Sequence, residues 1–140
     1  IKINSKNIIH NHRARNHNPL DQKRYYYLSK NKWQLKDLAK VRPDLIHHDP
    51  SHFGNRYTVQ VSENPGKTIV AHLYKDGNLF IHPDHNQSRT FTVREAARIQ
   101  SFPDDFIFVG SRTNQFKQVG NAVPPLMSKQ IAKAIKYFLI

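Results

Sequence analysis

The chain has 140 residues and a mass of 16.4 kDa, the size of one domain, and its 22 Lys and Arg against 10 Asp and Glu give a formal charge of +12 at pH 7. It contains no cysteine, which excludes disulfides, thiolate metal sites and a cysteine nucleophile within this sequence. No apolar run approaches the length of a membrane span and no N-terminal signal is visible, so we expect a cytoplasmic protein without membrane contact.

The basic excess is the first indication of function. A chain this small with a pI near 10.1 carries a positive surface potential, which favours polyanionic partners. Nucleic acid is the leading candidate partner, and a merely solubilising charged surface is the alternative. A membrane surface is disfavoured, because no helical segment combines a strongly basic face with a broad aromatic face.

The N-terminal third predicts a polar lead-in followed by two helices. Residues 1–19 are rich in Asn and His and lack any period, which indicates extended or poorly ordered chain. A helical pattern follows over residues 20–31, where Pro19 favours a helix start. A second, shorter helix is predicted over residues 33–40, with leucines on one side, and it ends before Pro43.

The middle of the chain has the pattern of β-strands. Residues 57–61 alternate and are rich in strand formers, as are residues 68–74. An Asp-Gly turn within residues 75–78 leads into a third run over residues 79–82, which is a hairpin signal. The predicted fold class is therefore α+β, a small antiparallel sheet flanked by helices.

The last third returns to helical patterns. Thr92 and Glu95 have the spacing of a capping box, and the helix that they open is predicted to run until Pro103. The proline pair at 124–125 is suited to the first turn of a final helix. At helical spacing, the apolar face of this final helix would consist of Met127, Ile131, Ala134, Ile135 and Phe138.

Two segments of this last third carry a family resemblance. Residues 89–100 read RTFTVREAARIQ and residues 118–125 read QVGNAVPP. Together they resemble the last two sequence blocks of the DNA cytosine-C5 methyltransferases, which move a methyl group from S-adenosylmethionine to carbon 5 of cytosine. The resemblance implies a polar lead-in over 1–19, a target-recognition region over 20–88, and C-terminal blocks over 89–140 whose helices normally pack on a Rossmann-like catalytic domain.

The resemblance also shows what this sequence lacks. The family supplies its nucleophile from a Pro-Cys loop, its acid from a Glu-Asn-Val segment and most of its cofactor site from a Gly-rich loop, and none of these is present. The implied function is the C-terminal target-recognition portion of a restriction-modification methyltransferase. Such a portion binds double-stranded DNA and completes the S-adenosylmethionine pocket of the complete enzyme, but is inactive alone. Its implied partner is a catalytic domain or companion chain that carries the cysteine.

The segment over residues 118–125 resembles a loop-to-helix element that closes part of the cofactor pocket. Glycine permits close approach of a backbone, asparagine offers a donor and an acceptor, and alanine keeps the pocket wall shallow. The alternative is an ordinary turn before a helix, in which the asparagine merely caps the helix. The predicted cofactor-binding residues are Gly120, Asn121, Ala122 and Val123.

The predicted DNA contacts lie in the middle of the chain. Thr68 and Ile69 match a threonine-aliphatic pair that, in the family, lies beside the flipped base. Basic side chains around this pair could contact phosphates, while the alternative for Thr68 is a β-branched strand residue without a DNA role. The predicted DNA-binding residues are Arg56, Lys67, Thr68, His72 and Lys75.

Other chemical features are assigned to structure. Arg94, Glu95 and Arg98 are expected to pair and hydrogen-bond rather than react, so no catalytic residue is predicted. Of the three tyrosines at 25–27, at least one is expected in the core, because adjacent residues on a helix point in different directions. No metal site is predicted from the nine histidines, because no cysteine completes a tetrahedral set with the two groups that could bind together, His10 with His12 and His47 with His48 and His52.

Two functions therefore remain open at the level of sequence. The first is the C-terminal portion of a methyltransferase, and the second is a stand-alone basic DNA-binding module without an enzymatic role. In either case, the apolar face of the final helix is expected to promote self-association of the isolated chain. A companion chain with the Pro-Cys loop would decide for the enzyme.

Overall fold

A computed structural model describes residues 9–47, 56–75 and 77–139. This part of the chain forms two compact units, which we call the middle unit (14–68 and 75–91) and the terminal unit (9–13, 69–74 and 92–139). None of the described helices is long and apolar enough to cross a membrane. The described α-helices are α1 (Pro19–Asn31), α2 (Leu35–Val41), α3 (Val93–Ile99), α4 (Arg112–Asn121) and α5 (Pro125–Leu139).

Helix α1 confirms the prediction for residues 20–31, and its ends explain its length. The Asn18 side chain accepts a hydrogen bond from the backbone N–H of Asp21 at 2.8 Å, and Pro19 occupies the first turn. At the other end, Lys32 adopts a left-handed conformation and its N–H bonds the carbonyls of Leu28 and Ser29. Local capping chemistry therefore fixes both ends of α1.

The core of the middle unit lies between α1, α2 and the short 3-10 helix Pro43–Leu45. Helix α2 begins with a capping box formed by Gln34 and Asp37, and falls within one or two residues of its predicted bounds. Tyr25 is 1% exposed, which confirms that one of the three adjacent tyrosines belongs to the core. The buried cluster consists of Tyr25, Leu28, Leu35, Leu38, Leu45, Tyr57 and Ile81.

The predicted antiparallel sheet is wrong. The described residues contain no β-strand and pair only at two isolated bridges, one parallel between Val59 and Ile81 and one antiparallel between Ile81 and Thr90. The predicted hairpin is also absent, because residues 71–75 form turns and Gly77–Leu79 is a 3-10 helix. The described fold is therefore helical with irregular connections, rather than α+β.

Side chains explain why the pairing at Ile81 does not spread into strands. The Gln60 carboxamide donates to the carbonyl of Leu79 at 2.9 Å and accepts from the N–H of Lys67 at 3.0 Å. The Ser29 hydroxyl donates to the carbonyl of His82 at 2.9 Å. These bonds occupy backbone groups that a longer ladder would use, so the backbone is satisfied without a sheet.

The terminal unit is built on α3, which packs against α4. The predicted capping box is confirmed: the Thr92 hydroxyl accepts from the N–H of Glu95 at 3.2 Å, and the Glu95 carboxylate accepts from the N–H of Thr92 at 2.7 Å. Residues at the predicted helical spacing are buried, namely Val93, Ala96, Ala97 and Gln100. Helix α4 was not predicted, although Ser111 caps its start by accepting from the N–H of Asn114.

Helix α5 confirms the predicted start at the proline pair and carries no buried residue in this chain. Its apolar side chains remain exposed, with Leu126 at 63%, Met127 at 57% and Phe138 at 82%. Apolar area of this kind usually marks a surface that is covered by a partner.

Candidate functional site

The segment at residues 118–125 is not one continuous loop. Residues 118–121 form the last turn of α4, Ala122 follows as its C-cap, and α5 begins at Pro125. A short connection therefore joins two helices, and the four predicted cofactor-binding residues lie at the end of α4 and in this connection. We call residues 120–125 the 120–125 loop.

Gly120 lies directly against the backbone of residues 70 and 71. A Cβ atom placed on Gly120 would lie 2.7 Å from the carbonyl oxygen of Val70 and 3.1 Å from that of Ala71. Real Cβ atoms essentially never approach a carbonyl oxygen so closely, so this packing requires glycine. The last turn of α4 thereby contacts the segment that follows the predicted DNA contact at Thr68.

Two residues at the end of α3 hold the 120–125 loop. The buried carboxamide of Gln100 donates from Nε2 to the carbonyl oxygens of Val119 at 3.2 Å and Ala122 at 3.3 Å. The next residue, Ser101, accepts from the N–H of Leu126 at 3.1 Å through its hydroxyl oxygen. Sequence reasoning missed both contacts, because hydrogen bonds between residues about 20 positions apart leave no local signal.

The outer side of this loop faces solvent. Asn121 is exposed, Val123 is 57% exposed, and Gly120 and Ala122 are half-buried. Asn121 lies in the last turn of α4 rather than at the start of α5, which separates it from the predicted capping position. The arrangement offers a carboxamide donor and acceptor on a loop whose inner side is fixed.

All five predicted DNA-binding residues are exposed, but the structure does not place all of them in one patch. Arg56 and Lys75 line the same cavity of about 490 Å³ in the middle unit, together with Tyr57 and Asn78. Lys67 lines a different cavity of about 430 Å³ beside Trp33. The five residues are Arg56, Lys67, Thr68, His72 and Lys75.

The two segments predicted as strands near these residues, 57–61 and 68–74, are not strands. Thr68 lies in irregular chain next to Ile69, which is 7% exposed, and His72 lies in a turn of the terminal unit. Lys67 contacts the Thr58 hydroxyl at 3.4 Å. Exposed cations on irregular chain can reach phosphates, whereas a buried neighbour such as Ile69 anchors the chain that carries them.

Arg94 joins three parts of the terminal unit. Its side chain is fully buried, and desolvation by burial lowers its pKa. The guanidinium donates to the backbone carbonyls of His10 (3.0 Å), Pro103 (2.9 Å) and Phe106. Arg94 therefore forms hydrogen bonds, as predicted, but with carbonyls rather than with the neighbouring carboxylates.

The other two charged residues of this segment, Arg98 and Glu95, also form hydrogen bonds within the terminal unit. Arg98 forms two hydrogen bonds with the Asp104 carboxylate at 2.8 and 2.9 Å, and these bonds lower the pKa of Asp104. Glu95 serves the capping box. In addition, Asn11 exchanges two hydrogen bonds with the backbone of Phe108, which ties residues of the polar lead-in to the terminal unit.

The nine histidines are the remaining candidates for metal binding. Among the residues that the structure describes, no group of three or more His, Cys, Asp or Glu side chains is placed to hold a metal ion. His12 contacts the Thr92 hydroxyl at 2.9 Å, and His17 contacts Thr90 at 3.3 Å. His48 and His52 lie outside the described residues.

Comparison with known proteins assigns a family. Residues 2–137 match the C-5 cytosine-specific DNA methylases. The chain is 54% identical over 90 residues to the type II methyltransferase M.Bpa9945I of Bacillus paralicheniformis, an alignment that covers 64% of this chain and 20% of that relative. It is 36% identical over 136 residues to the type II methyltransferase M1.HphI of Haemophilus parahaemolyticus, which covers 96% of this chain and 33% of that relative.

A third relative is of similar length to this chain. The type II methyltransferase M.AquIB of Picosynechococcus is 39% identical over 118 residues, which covers 76% of this chain and 81% of the relative. The chain thus spans a fifth to a third of the first two relatives and most of the third. No solved structure matches the chain significantly. On the extent of these matches, the chain belongs to the C-5 cytosine-specific DNA methylase family.

Proposed function

We propose that this chain is the target-recognition and C-terminal portion of a DNA cytosine-C5 methyltransferase, which binds DNA and completes the S-adenosylmethionine pocket. It works with a catalytic portion that supplies the cysteine nucleophile and the Gly-rich cofactor loop. In this role the chain selects and holds DNA, while the cofactor supplies the methyl group when it is bound. Alone, the chain has no nucleophile and does not methylate DNA.

The observation that carries this proposal is the exposed face of α5. None of the described residues of α5 is buried, although the helix is rich in apolar side chains. Even the large side chain of Phe138 is 82% exposed. The first relatives contain three to five times as much chain as they share with this one, so the family has a further portion that could cover this face. We assign α5 to the contact with the catalytic portion.

The charge of the chain supports the DNA-binding half of the proposal. A net charge of +12 on 140 residues attracts the phosphate backbone, and the cations at Arg56, Lys67 and Lys75 are exposed on irregular chain. Thr68, also exposed, is the proposed contact beside the target base.

The 120–125 loop supports the cofactor half. Its Asn121 is exposed and its Ala122 is half-buried, while the Ala122 carbonyl is held by Gln100, so both residues keep surface that a ligand on a second protein surface can contact. An amide side chain can bond both donors and acceptors of a polar ligand such as S-adenosylmethionine. The loop forms one wall of the proposed pocket, and the catalytic portion forms the rest.

A two-chain arrangement is supported by the relative from Picosynechococcus, most of whose length aligns with this short chain. The experiment mixes the purified 140-residue chain with the companion chain that carries the Pro-Cys and Gly-rich loops. Transfer of labelled methyl groups to cytosine should occur in the mixture and in neither chain alone. Methylation by this chain alone would overturn the proposal, and so would a mixture that neither forms a complex nor methylates DNA while this chain still binds DNA.

The α5 contact can be tested in the same mixture. Ile135→Asp places a charge on the apolar face and should abolish the complex and its activity, because an unpaired charge is costly in an apolar interface. Lys136→Gln on the same helix is the matched control and should leave both unchanged. If Ile135→Asp retains full activity, α5 is not the contact surface. Self-association of the isolated chain that Ile135→Asp abolishes would identify the same face as its cause.

A further inference from the structure

We infer that Gln100 is a positioning residue for the 120–125 loop, so that it sets the affinity for S-adenosylmethionine without touching the cofactor. The inference rests on the proposed function, because it assumes that this loop contacts the cofactor. Gln100 lies immediately after α3, as the C-cap residue of that helix.

The geometry of Gln100 makes it a rigid support. Its own backbone N–H bonds the carbonyl of Ala96, which fixes it to the end of α3. The side chain is 8% exposed, and its nitrogen donates to the carbonyls of Val119 and Ala122 at 3.2 and 3.3 Å. Those carbonyls lie on either side of Gly120 and Asn121, so one amide group bridges the backbone around two of the four candidate cofactor residues.

The chemistry of this contact requires an amide. A carboxamide nitrogen carries two N–H donors, one for each carbonyl oxygen, whereas a carboxylate of the same shape carries none. The Val119 carbonyl also accepts from the N–H of Ala122 at 3.3 Å, so the Gln100 amide adds a second bond to the group that closes the last turn of α4. Because Gln100 is buried beneath the loop, it acts on a ligand only through the position of the loop.

A second anchor strengthens the arrangement. The Ser101 hydroxyl accepts from the N–H of Leu126 at 3.1 Å, at the first turn of α5. Ser101 adopts a left-handed backbone conformation with φ of 62°, which turns its side chain toward this N–H from the end of α3. Two successive residues therefore hold the loop, Gln100 at its start and Ser101 at its end.

The test uses Gln100→Glu in the mixture of this chain and its companion. The carboxylate has the shape of the amide but faces two carbonyl oxygens, so the loop should lose its support. We expect KM for S-adenosylmethionine to rise about tenfold, the effect of losing roughly one to two hydrogen bonds, while kcat at saturating cofactor changes less than twofold. The affinity for DNA should be unchanged.

The matched control is Gln115→Glu. This half-buried glutamine on α4 donates to the carbonyl of Gly110 at 2.9 Å, so the substitution repeats the chemical change away from the loop. It should leave KM for the cofactor unchanged. Equal effects of the two substitutions would show a general charge effect and would overturn the inference.

A second readout needs no cofactor. In the 140-residue chain alone, Gln100→Glu should speed hydrogen exchange at the backbone N–H of Ala122, while exchange in α3 stays slow. If Gln100→Glu does not fold, Gln100→Met, which keeps the volume without N–H donors, is measured in its place, with the same expected results.

The outcomes separate this inference from the proposed function. An active wild-type mixture in which Gln100→Glu, or Gln100→Met in its place, keeps the wild-type KM overturns the role of Gln100 and leaves the proposed function standing. A mixture in which even the wild-type chain shows no cofactor-dependent activity overturns both. A raised KM, with faster exchange at Ala122, supports the positioning role.

Discussion

The carbonyl oxygen of Val70 lies so close beneath Gly120 that a methyl group on that glycine would approach it to 2.7 Å. This contact joins the last turn of α4 to the chain that follows Thr68. The last turn of α4 and residues 69–74 thus pack together within the terminal unit, to which His72, a candidate DNA contact, also belongs. Glycine at position 120 is explained by this packing alone, whether or not the loop also contacts a cofactor.

The first prediction concerns Gly120→Ala. Alanine usually stabilises a helix by about 0.5 to 1 kcal/mol relative to glycine, but overpacking against fixed backbone costs about 1 to 3 kcal/mol. The added methyl group would meet the backbone of Val70 and Ala71, which cannot rotate away, so the second effect should win. We expect a lower free energy of unfolding in urea.

A control on the same helix isolates the steric effect. Thr113→Ala changes an exposed residue near the start of α4 and should alter stability by less than about 0.5 kcal/mol. If Gly120→Ala were as stable as the wild-type chain or more stable, helix propensity would dominate, and the close contact with Val70 would be absent in solution.

The helices were predictable because their signals are local. Asn18, Pro19 and the pair Thr92 and Glu95 mark helix starts within four residues, and the structure confirms each. Helix α4 has a similar signal at Ser111, with Phe116 and Val119 at helical spacing. However, the resemblance of residues 118–125 to a loop-to-helix element predicts a loop where the last turn of α4 lies.

The sheet could not be predicted from alternation alone. Residues 57–61 and 79–82 have strand-like composition, yet whether a ladder spreads depends on which groups bond the backbone beside it. The side chains of Gln60 and Ser29 bond backbone carbonyls beside the bridges. No local pattern in the sequence connects these two residues with the carbonyls that they bond. The candidate site shows the same limit, because its exposed residues can be named from sequence motifs, whereas its support by Gln100 is a long-range contact.

The second prediction compares two arginines four residues apart. In Arg94→Lys, an ammonium group cannot reach all three carbonyls that the guanidinium bonds, and losing two such bonds costs roughly 3 to 6 kcal/mol. In Arg98→Lys, only the ion pair with Asp104 is altered. The free energy of unfolding should fall by only about 0.2 to 1 kcal/mol, because Arg98 is exposed. Urea unfolding of both variants measures the two free energies of unfolding. Similar decreases for both variants would show that the buried hydrogen bonds of Arg94 contribute no more than the exposed pair of Arg98.

The third prediction concerns pH. Hydrogen bonds from Arg98 lower the pKa of Asp104 below its ordinary value of about 3.9, so the ionised carboxylate stabilises the folded state. This stabilisation is complete above the pKa that the Asp104 carboxyl has in the unfolded chain. It is lost as the pH falls through the lower pKa that this carboxyl has in the folded state. The stability difference between the wild type and Asp104→Asn should therefore be constant from about pH 5 to 7 and shrink below about pH 4. A difference that changes between pH 5 and 7 would point to another group.

The fourth prediction concerns DNA binding by the isolated chain. A net charge of +12 favours contacts that are mainly to phosphates. If about five phosphates are neutralised, log affinity should fall with log salt with a slope of roughly −4 to −5. Fluorescence anisotropy with a labelled duplex at several salt concentrations gives the slope. Affinity that does not change from low to physiological salt would contradict phosphate-dominated binding.

The fifth prediction concerns Asn121→Ala in the mixture with the companion chain. Asn121 is exposed in the last turn of α4, outside the capping position of α5, so removing its side chain should leave the melting temperature of the 140-residue chain unchanged. If the loop contacts S-adenosylmethionine, the loss of hydrogen bonds to a polar ligand costs about 1 to 3 kcal/mol, and cofactor affinity should fall about tenfold or more. Equilibrium binding of the cofactor and thermal unfolding are measured on the same variant. A lower melting temperature with unchanged cofactor affinity would assign Asn121 to the helix end rather than to the pocket.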